Sequence, residues 1–441
     1  MRFVPQVFQG DTFRALRHRN YRLLWLGQTG HSATLWMDQV ARAVLILNLT
    51  DSPLMLSLVI ATRLVPILLF GLIGGAMADR YDRKRILMTT QSVTLCTHLF
   101  LGVAVTAGFI EVWHVFVTAF VAGTAMAFNQ PVRQSLIPLT VPKEDMLNAI
   151  ALNATALSFM RIGGGAIAGL LLIPFDTGGV YLITAAIYTL VILSTSLMHL
   201  PDEKGKVRKP TGLIADVREG FVYVGQNRVL VWVTGLAVIL FVLGFPYQQV
   251  FVPLLAKETL DLGDSGVGFL AGATGVGAFI GSLVVAAKSS VARPGLQLII
   301  NMLVFGAALV GISLQETVWM TAILLAVAGS MTVTYMAFTN TILLTNSDPE
   351  MHGRVMSLLS LDRGLIPLGA IMAGVLVSTM GVRPGLFVMG TLVLLASTAA
   401  LVVAGPTLAK IRGGEVRSGR HGAPVEGPAT AEGSPGVAAG R

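Results

Sequence analysis

The chain has 441 residues, 54% of them hydrophobic and only 12% charged. Soluble domains carry about 25% charged residues, so a water-soluble globular protein is excluded and a multi-span membrane protein is expected. The net charge of +8 does not point to nucleic acid, because the basic residues are scattered over many short segments.

A spanning helix needs about 20 mostly apolar residues. Residues 1–20 hold Arg14, Arg17 and Arg19 but no apolar signal-peptide core. The first span is therefore expected to act as the targeting element. Apolar stretches predict spans at 22–47, 54–78, 86–108, 112–131, 148–173 and 179–198, forming a bundle over residues 21–198. Residues 199–228 read as a cytoplasmic linker. Within it Ile214, Val217, Phe221 and Val224 recur at helical spacing opposite Asp216, Arg218 and Glu219. That pattern predicts an amphipathic helix on the inner membrane surface. Further spans at 229–252, 266–287, 295–315, 318–345, 354–380 and 385–405 predict a second bundle over 229–405. Residues 406–441 are Gly- and Pro-rich without apolar periodicity, and a disordered cytoplasmic tail is expected there. The expected fold class is an all-α membrane protein with twelve transmembrane helices in two pseudo-symmetric six-helix bundles.

Charge placement supports that frame. Lys257 and Arg383 fall in expected outer loops, and Arg42, Arg63, Arg161 and Arg363 within spans. The other 25 of the 31 Lys and Arg residues fall on the opposite side. Basic loops stay cytoplasmic, so both termini are expected inside. The single cysteine, Cys96, allows no intrachain disulfide or cysteine-based metal site.

The two bundles also resemble each other. Gly164 matches Gly369 and Gly169 matches Gly374, both at an offset of 205 residues. Internal repeats with a site at their interface are a recurring transporter plan.

The densest charge cluster is residues 79–85, where six charges stand in seven residues between two apolar spans. With Gly75, Asp79, Arg80 and Arg83 this turn resembles the loop 2–3 motif of the major facilitator superfamily, Gly-x-x-x-Asp-Arg-x-Gly-Arg-Arg/Lys. Asp82 stands where the motif has glycine. The segment Phe13–Arg22, the pair Arg63 and Pro66, and Gly353–Ser357 resemble the branch of macrolide- and enterobactin-exporter-like proteins. The resemblance covers residues 15–405. It implies alternating access, a conformational latch at Gly75, Asp79, Arg80 and Arg83, and a central cavity lined by spans 1, 4, 7 and 10. Antiporters of the superfamily usually carry Gly-Pro in span 5; here Gly165 stands at the proline position, just after Arg161.

Candidate site residues follow from polar groups within spans. A charged side chain at a helix centre costs about 2.5–3.5 kcal/mol on insertion scales, so each needs a reason. Gln28, His31, Ser32, Asp38, Gln39 and Arg42 form a polar stripe on span 1, and Asp38 and Arg42 share a face at i, i+4. Arg63 lies at similar depth on span 2. Asp38, with Arg42, Arg63 and Arg161, is read as a proton-coupling carboxylate or as a cavity ion pair; direct substrate contact is a third reading. The substrate cavity is expected to include Gln28, His31, Phe241, Phe245, Tyr335, Met336, Thr339 and Asn340, since aromatic and Met side chains adapt to varied ligands. Asp362 and Arg363 are read as a gate between halves, or as a locally paired, snorkelling set. His98 is expected to be a packed core residue.

No phosphate-binding loop, zinc-helix signature or nucleophile elbow is present. The chain is thus read as no enzyme and without cofactor or metal. The function expected is secondary active transport, with protons coupled to efflux of a small amphiphilic drug, siderophore or metabolite. An uptake or facilitated-diffusion permease for a nutrient or lipid is the alternative, and a membrane scaffold or sensor a further one. The expected setting is the bacterial inner membrane, as a multi-pass monomer in contact with the lipid bilayer.

Overall fold

The computed structural model describes residues 11–200, 213–287, 293–348, 351, 352, 355, 364–409 and 411. A 3-10 turn at Asp11–Arg17 leads into α1 (Arg19–Thr50), α2 (Pro53–Arg80), α3 (Arg83–Thr106), α4 (Val112–Thr140), α5 (Met146–Leu171) and α6 (Thr177–Ser196). The linker helix is α7 (Leu213–Gln226). Then come α8 (Arg228–Thr259), α9 (Gly263–Ala287), α10 (Pro294–Ser313), α11 (Val318–Thr345), α12 (Ile366–Met380), α13 (Val382–Val403) and the short α14 (Gly405–Leu408). No strand occurs among the described residues.

Among the described residues, ten helices are long and apolar enough to cross a membrane: α2 to α6, α8 to α11, and α13. α12 is a shorter apolar helix. α1 is 32 residues long but stands outside the ten, because Gln28, His31, Asp38 and Arg42 interrupt its apolar sequence. The expected tail from 412 onward, the gate pair Asp362 and Arg363, and linker residues 201–212 lie outside the described residues, as does most of the 353–357 motif.

Local chemistry sets the breaks. Asp51 takes a left-handed conformation (φ 47°) and ends α1, and the Ser52 hydroxyl accepts the Met55 N–H at 3.3 Å to start α2 at Pro53. Asp82 caps α3 by accepting the Arg85 N–H at 3.1 Å. Its φ of −58° needs no glycine, which explains how an aspartate fits the turn. Lys84 Nζ donates to the carbonyls of Ser196 and Met198, each at 2.7 Å, and so covers the end of α6.

Two helices outrun their sequence expectation. α8 was expected over 229–252 but continues to Thr259 through wide π turns at Leu240–Gly244, Tyr247–Phe251 and Leu255–Thr259. Pro246 and Pro253 lack an N–H, and the helix shifts its bonding register rather than stopping. α4 was expected over 112–131 but passes Pro131 and Pro138 to reach Thr140. That extension corrects the charge census: Arg133, counted with the cytoplasmic loops, is a buried residue of α4, 2% exposed.

Before α7, α1 packs on α5 and α6, α2 on α4, and α3 on α4 and α6. After it, α11 packs on α9 and α10, and α13 on α10 and α12. Two seams join these parts, α5 with α9 and α2 with α12. Glycine makes the first seam: a Cβ on Gly268 would lie 2.2 Å from Gly169 Cα. On the second, a Cβ on Gly374 would lie 2.3 Å from Ser57 Oγ. Near the first seam, Asn48 Nδ2 donates to Asp264 Oδ2 at 3.0 Å, and Lys257 Nζ pairs with Asp264 Oδ1 at 3.0 Å.

Candidate functional site

The interior of α1, α2, α3, α4 and α6 is not uniformly apolar. Asp38 is 1% exposed and stands between two guanidinium groups. Arg42, one turn further along α1, donates from Nη2 to Asp38 Oδ1 at 2.8 Å. It also donates from Nη1 to the Val115 carbonyl at 3.2 Å and to Thr118 Oγ1 at 3.1 Å, both on α4. Arg63 of α2 places Nη1 2.6 Å from Asp38 Oδ2. That contact is off the hydrogen-bond line, so Oδ2 accepts no aligned hydrogen bond. Three of the four residues expected to act together, Asp38, Arg42 and Arg63, are thus joined, and Arg161 is not among them.

Histidines surround the same carboxylate. His98 of α3 is buried as expected, but it is not a plain packing residue. Its Nε2 lies 3.9 Å from Asp38 Oδ1, and its Nδ1 has no hydrogen-bond partner. His31 shares Nδ1 with the Tyr188 hydroxyl of α6 at 2.7 Å, while its Nε2 is unpaired. The Tyr188 ring stands edge-on to both, 6.0 Å from His31 and 5.4 Å from His98. A small cavity of about 20 Å³ lies among His31, Asp38, Arg63, His98, Asn129 and Tyr188. A water molecule needs roughly 10–15 Å³ of such space, so the cavity is large enough for one.

The polar column continues toward the N-terminal end of α1. Asn129 Nδ2 donates to Thr90 Oγ1 at 2.9 Å, and Arg133 Nε donates to Asn129 Oδ1 at 3.3 Å. Both terminal nitrogens of Arg133 are buried without a partner, as are both amide atoms of Gln91. Sequence reasoning missed Arg133 because it placed the end of α4 at Pro131; Asn129 and Gln91 fall inside the expected spans 112–131 and 86–108, where no local spacing singles out an uncharged polar residue. An apolar periodicity carried through that proline would have found Arg133.

Other expected residues lie elsewhere. Gln28 is buried and donates to Ser32 Oγ at 2.9 Å within α1. His31 faces α6 rather than the seams. Arg161 is half-buried on α5 and no cation of the Asp38 cluster; its carbonyl borders the α9 seam beside Gly275. Among the described residues no carboxylate pairs with it. Phe241 and Phe245 sit 5.9 Å apart on α8, the first buried and the second half-buried. On α11, Tyr335 and Thr339 are buried, while Met336 and Asn340 are half-buried. In the latch, the α2 backbone is helical through Gly75, Asp79 and Arg80, whose side-chain surroundings lie outside the described residues; Arg83 opens α3. A larger groove of about 680 Å³ lies between α3 and α4, lined by Met88, Cys96, Phe100 and Trp113. It is apart from the Asp38 cluster and mostly apolar, as suits a face turned to lipid.

On the linker, the Tyr223 hydroxyl donates to Asp348 Oδ2 at 3.1 Å and accepts the Asp348 N–H at 2.9 Å, tying α7 to the end of α11. Burial raises the Tyr223 phenol above its ordinary value.

The family model described as "Transmembrane secretion effector" matches residues 10–417. The staphyloferrin A transporter of Staphylococcus aureus is 24% identical, over 83% of this chain and 90% of its own. Macrolide efflux protein A of Streptococcus pyogenes is 23% identical, over 86% of this chain and 95% of its own. The multidrug efflux pump Tap of Mycobacterium bovis is 25% identical, over 78% and 84%. Among solved structures, an inward-facing bacterial homolog of the human lysosomal transporter Spinster superposes with a TM-score of 0.71. The two are 17% identical, and the match covers 90% of this chain and 98% of that one, so it shows the fold.

Proposed function

We propose that this chain, which belongs to the transmembrane secretion effectors of the major facilitator superfamily, is a proton-coupled exporter of small amphiphilic molecules. It is a multi-pass membrane transporter and not an enzyme. The finer reading has twelve spans in two six-helix bundles, residues 21–198 and 229–405, with both termini on the cytoplasmic side of a bacterial inner membrane. The chain works as a monomer by rocking one bundle against the other.

The buried Asp38–Arg42–Arg63 cluster is the observation that carries proton coupling. Membrane helices hold charge only where it is used or paired, and this cluster sits beside a water-sized cavity and two histidines. The glycine seams support alternating access. They join α5 to α9 and α2 to α12 near Asn48, Lys257 and Asp264, so the described state is closed at the end opposite the N-terminus. In the proposed orientation that is the outer face.

The substrate class is neutral or anionic. Arg161 at the seam carries a positive charge with no carboxylate partner among the described residues, and charge in a low-dielectric cavity acts with little screening. The relatives' names, a staphyloferrin A transporter and a macrolide efflux protein, support a small-molecule cargo and leave its charge to the test. The test is a proteoliposome assay with an imposed proton gradient and a labelled panel of a macrolide, a carboxylate siderophore and a dicationic dye. Gradient-driven movement of the macrolide or siderophore is expected. Movement of the dye alone, or no dependence on the gradient, defeats the reading.

A further inference from the structure

We propose that Arg63 and a protonated His98 exchange as the second counter-cation of Asp38, so that His98, and not Asp38, takes up the coupled proton. This rests on the proton-coupled reading above and names the group that carries it.

The geometry separates two cations around one carboxylate. Arg42 is built in: it is 5% exposed and makes three hydrogen bonds, to Asp38, Val115 and Thr118. Arg63 is less tightly held. Its side chain is 16% exposed, and its contact with Oδ2 is off the hydrogen-bond line. The Arg63 backbone is packed tightly on α4, since a Cβ on Gly123 would lie 2.0 Å from its carbonyl oxygen, so the long side chain is the part with freedom to move. The guanidinium moves, and the helix stays.

His98 is placed to take over. Its Nε2 is 3.9 Å from Asp38 Oδ1, about 1 Å beyond a hydrogen bond. Its Nδ1 is unpaired, and the water-sized cavity lines its ring. Among the described residues, several titratable and polar groups face it. They are His31, Asp38 and Arg42 from α1, Arg63 from α2, Asn129 and the nearby Arg133 from α4, and Tyr181 and Tyr188 from α6. Asp38 is the only carboxylate among them. While Arg63 holds Oδ2, adding a proton to His98 would place a third cation on a single anion. Once the Arg63 guanidinium leaves, a proton from hydronium in bulk solvent, relayed through the cavity, bonds to the lone pair of an imidazole nitrogen, and each relaying group gives up one proton as it gains one, so no hydroxide is left behind. Counted over Asp38, Arg42 and the exchanging cation, the net charge is one positive before and after, with Asp38, Arg42 and Arg133 unchanged. The exchange therefore avoids the several kcal/mol that an added buried charge costs.

Arg63 also links the exchange to the seams. α2, which carries it, packs directly on α12. Rocking at that seam changes the space into which the Arg63 side chain swings. His31 and Tyr188 extend the chain of hydrogen-bonding groups from the cavity toward Asn129 and supply a route for the proton.

The test uses the full-length protein in lipid nanodiscs with isotope-labelled histidine ring nitrogens, read by nuclear magnetic resonance. Loss of one signal in His98→Gln assigns the residue. Removing a cation at this range should raise the protonated fraction of His98 at fixed neutral pH by about tenfold or more, so Arg63→Gln is expected to do so. Arg63→Lys, with a shorter reach to Asp38, is expected to give a smaller rise and serves if the glutamine variant does not fold. An unchanged His98 fraction in the recovered variant overturns the proposal. The measurement needs no substrate, so it fails or succeeds separately from the export reading. In proteoliposomes with an imposed gradient, His98→Gln is expected to keep macrolide exchange and lose gradient-driven accumulation. Undiminished accumulation by His98→Gln also overturns the proposal, whereas a wild-type protein indifferent to the gradient defeats the proton-coupled reading itself.

Discussion

Gly169 meets Gly268 of α9, and Gly374, its counterpart 205 positions on, meets Ser57 of α2. The second matched pair follows the same rule. Gly164 lies against Trp36 and Ala33 of α1, and Gly369 lies against Val242 and Pro246 of α8. Each matched glycine thus makes the corresponding contact, with its own part of the chain or across the seam. Close backbone approach of this kind needs the absence of a Cβ.

The seam can be tested by filling it. Gly268→Val puts two further carbons where even a Cβ meets backbone at 2.2 Å, so α5 and α9 must part. Transport is expected to fall by about tenfold or more, with membrane yield retained because the faces toward lipid are unchanged. Wild-type transport by Gly268→Val would remove the seam from the cycle.

Locking the same end should stop the cycle reversibly. Asn48→Cys with Asp264→Cys, in a Cys96→Ala background, joins positions whose side chains are now hydrogen-bonded at 3.0 Å. Oxidation is expected to abolish transport, and a reductant to restore it. Full activity of the oxidised, crosslinked protein would show that this end need not open.

Asp38 has a structural duty whatever else it does. Asp38→Asn leaves Arg42 and Arg63 buried without an anion, and breaking a buried pair costs roughly 3–5 kcal/mol. Folded yield in membranes should drop sharply, and Asp38→Asn combined with Arg42→Gln should recover part of it. Normal yield and melting behaviour in the single variant would contradict the pairing.

Arg133 makes the opposite forecast. Its two terminal nitrogens are buried and unpaired, so the charge is a cost to the folded state. Arg133→Gln is expected to raise the thermal melting temperature of the purified protein while cutting transport by about tenfold, the trade-off of a functional group retained against stability. A lower melting temperature would show that Arg133 is held by partners such as internal water.

Orientation is tested by labelling from outside with an impermeant thiol reagent, again in a Cys96→Ala background. Phe175 is exposed in the α5–α6 connection, and the Glu316 side chain is exposed before α11. Gly178 would be a poor site, because it is buried against Thr106 and Val105. Phe175→Cys and Glu316→Cys should react, and Lys206→Cys should not. The inverse pattern would reverse the proposed topology.

The sequence alone determined the membrane class, most spans, the linker helix α7 and the pairing of Asp38 with Arg42. Each rests on a local pattern: an apolar length, a helical period, or an i, i+4 spacing that brings side chains to one face whatever surrounds them. It misplaced the ends of α4 and α8, because proline reads as a stop, while a membrane helix can shift its hydrogen-bond register and continue. Tertiary structure decided the rest. Arg63, His98, Tyr188 and Asn129 come from four different helices, and no sequence spacing relates them to Asp38. Their meeting depends on how α2, α3, α4 and α6 rotate about their own axes. That rotation is set by which small residues allow close approach, as Gly123 does beneath Arg63. A polar residue in one span announces only that it needs a partner; the packing of the others decides which partner it gets.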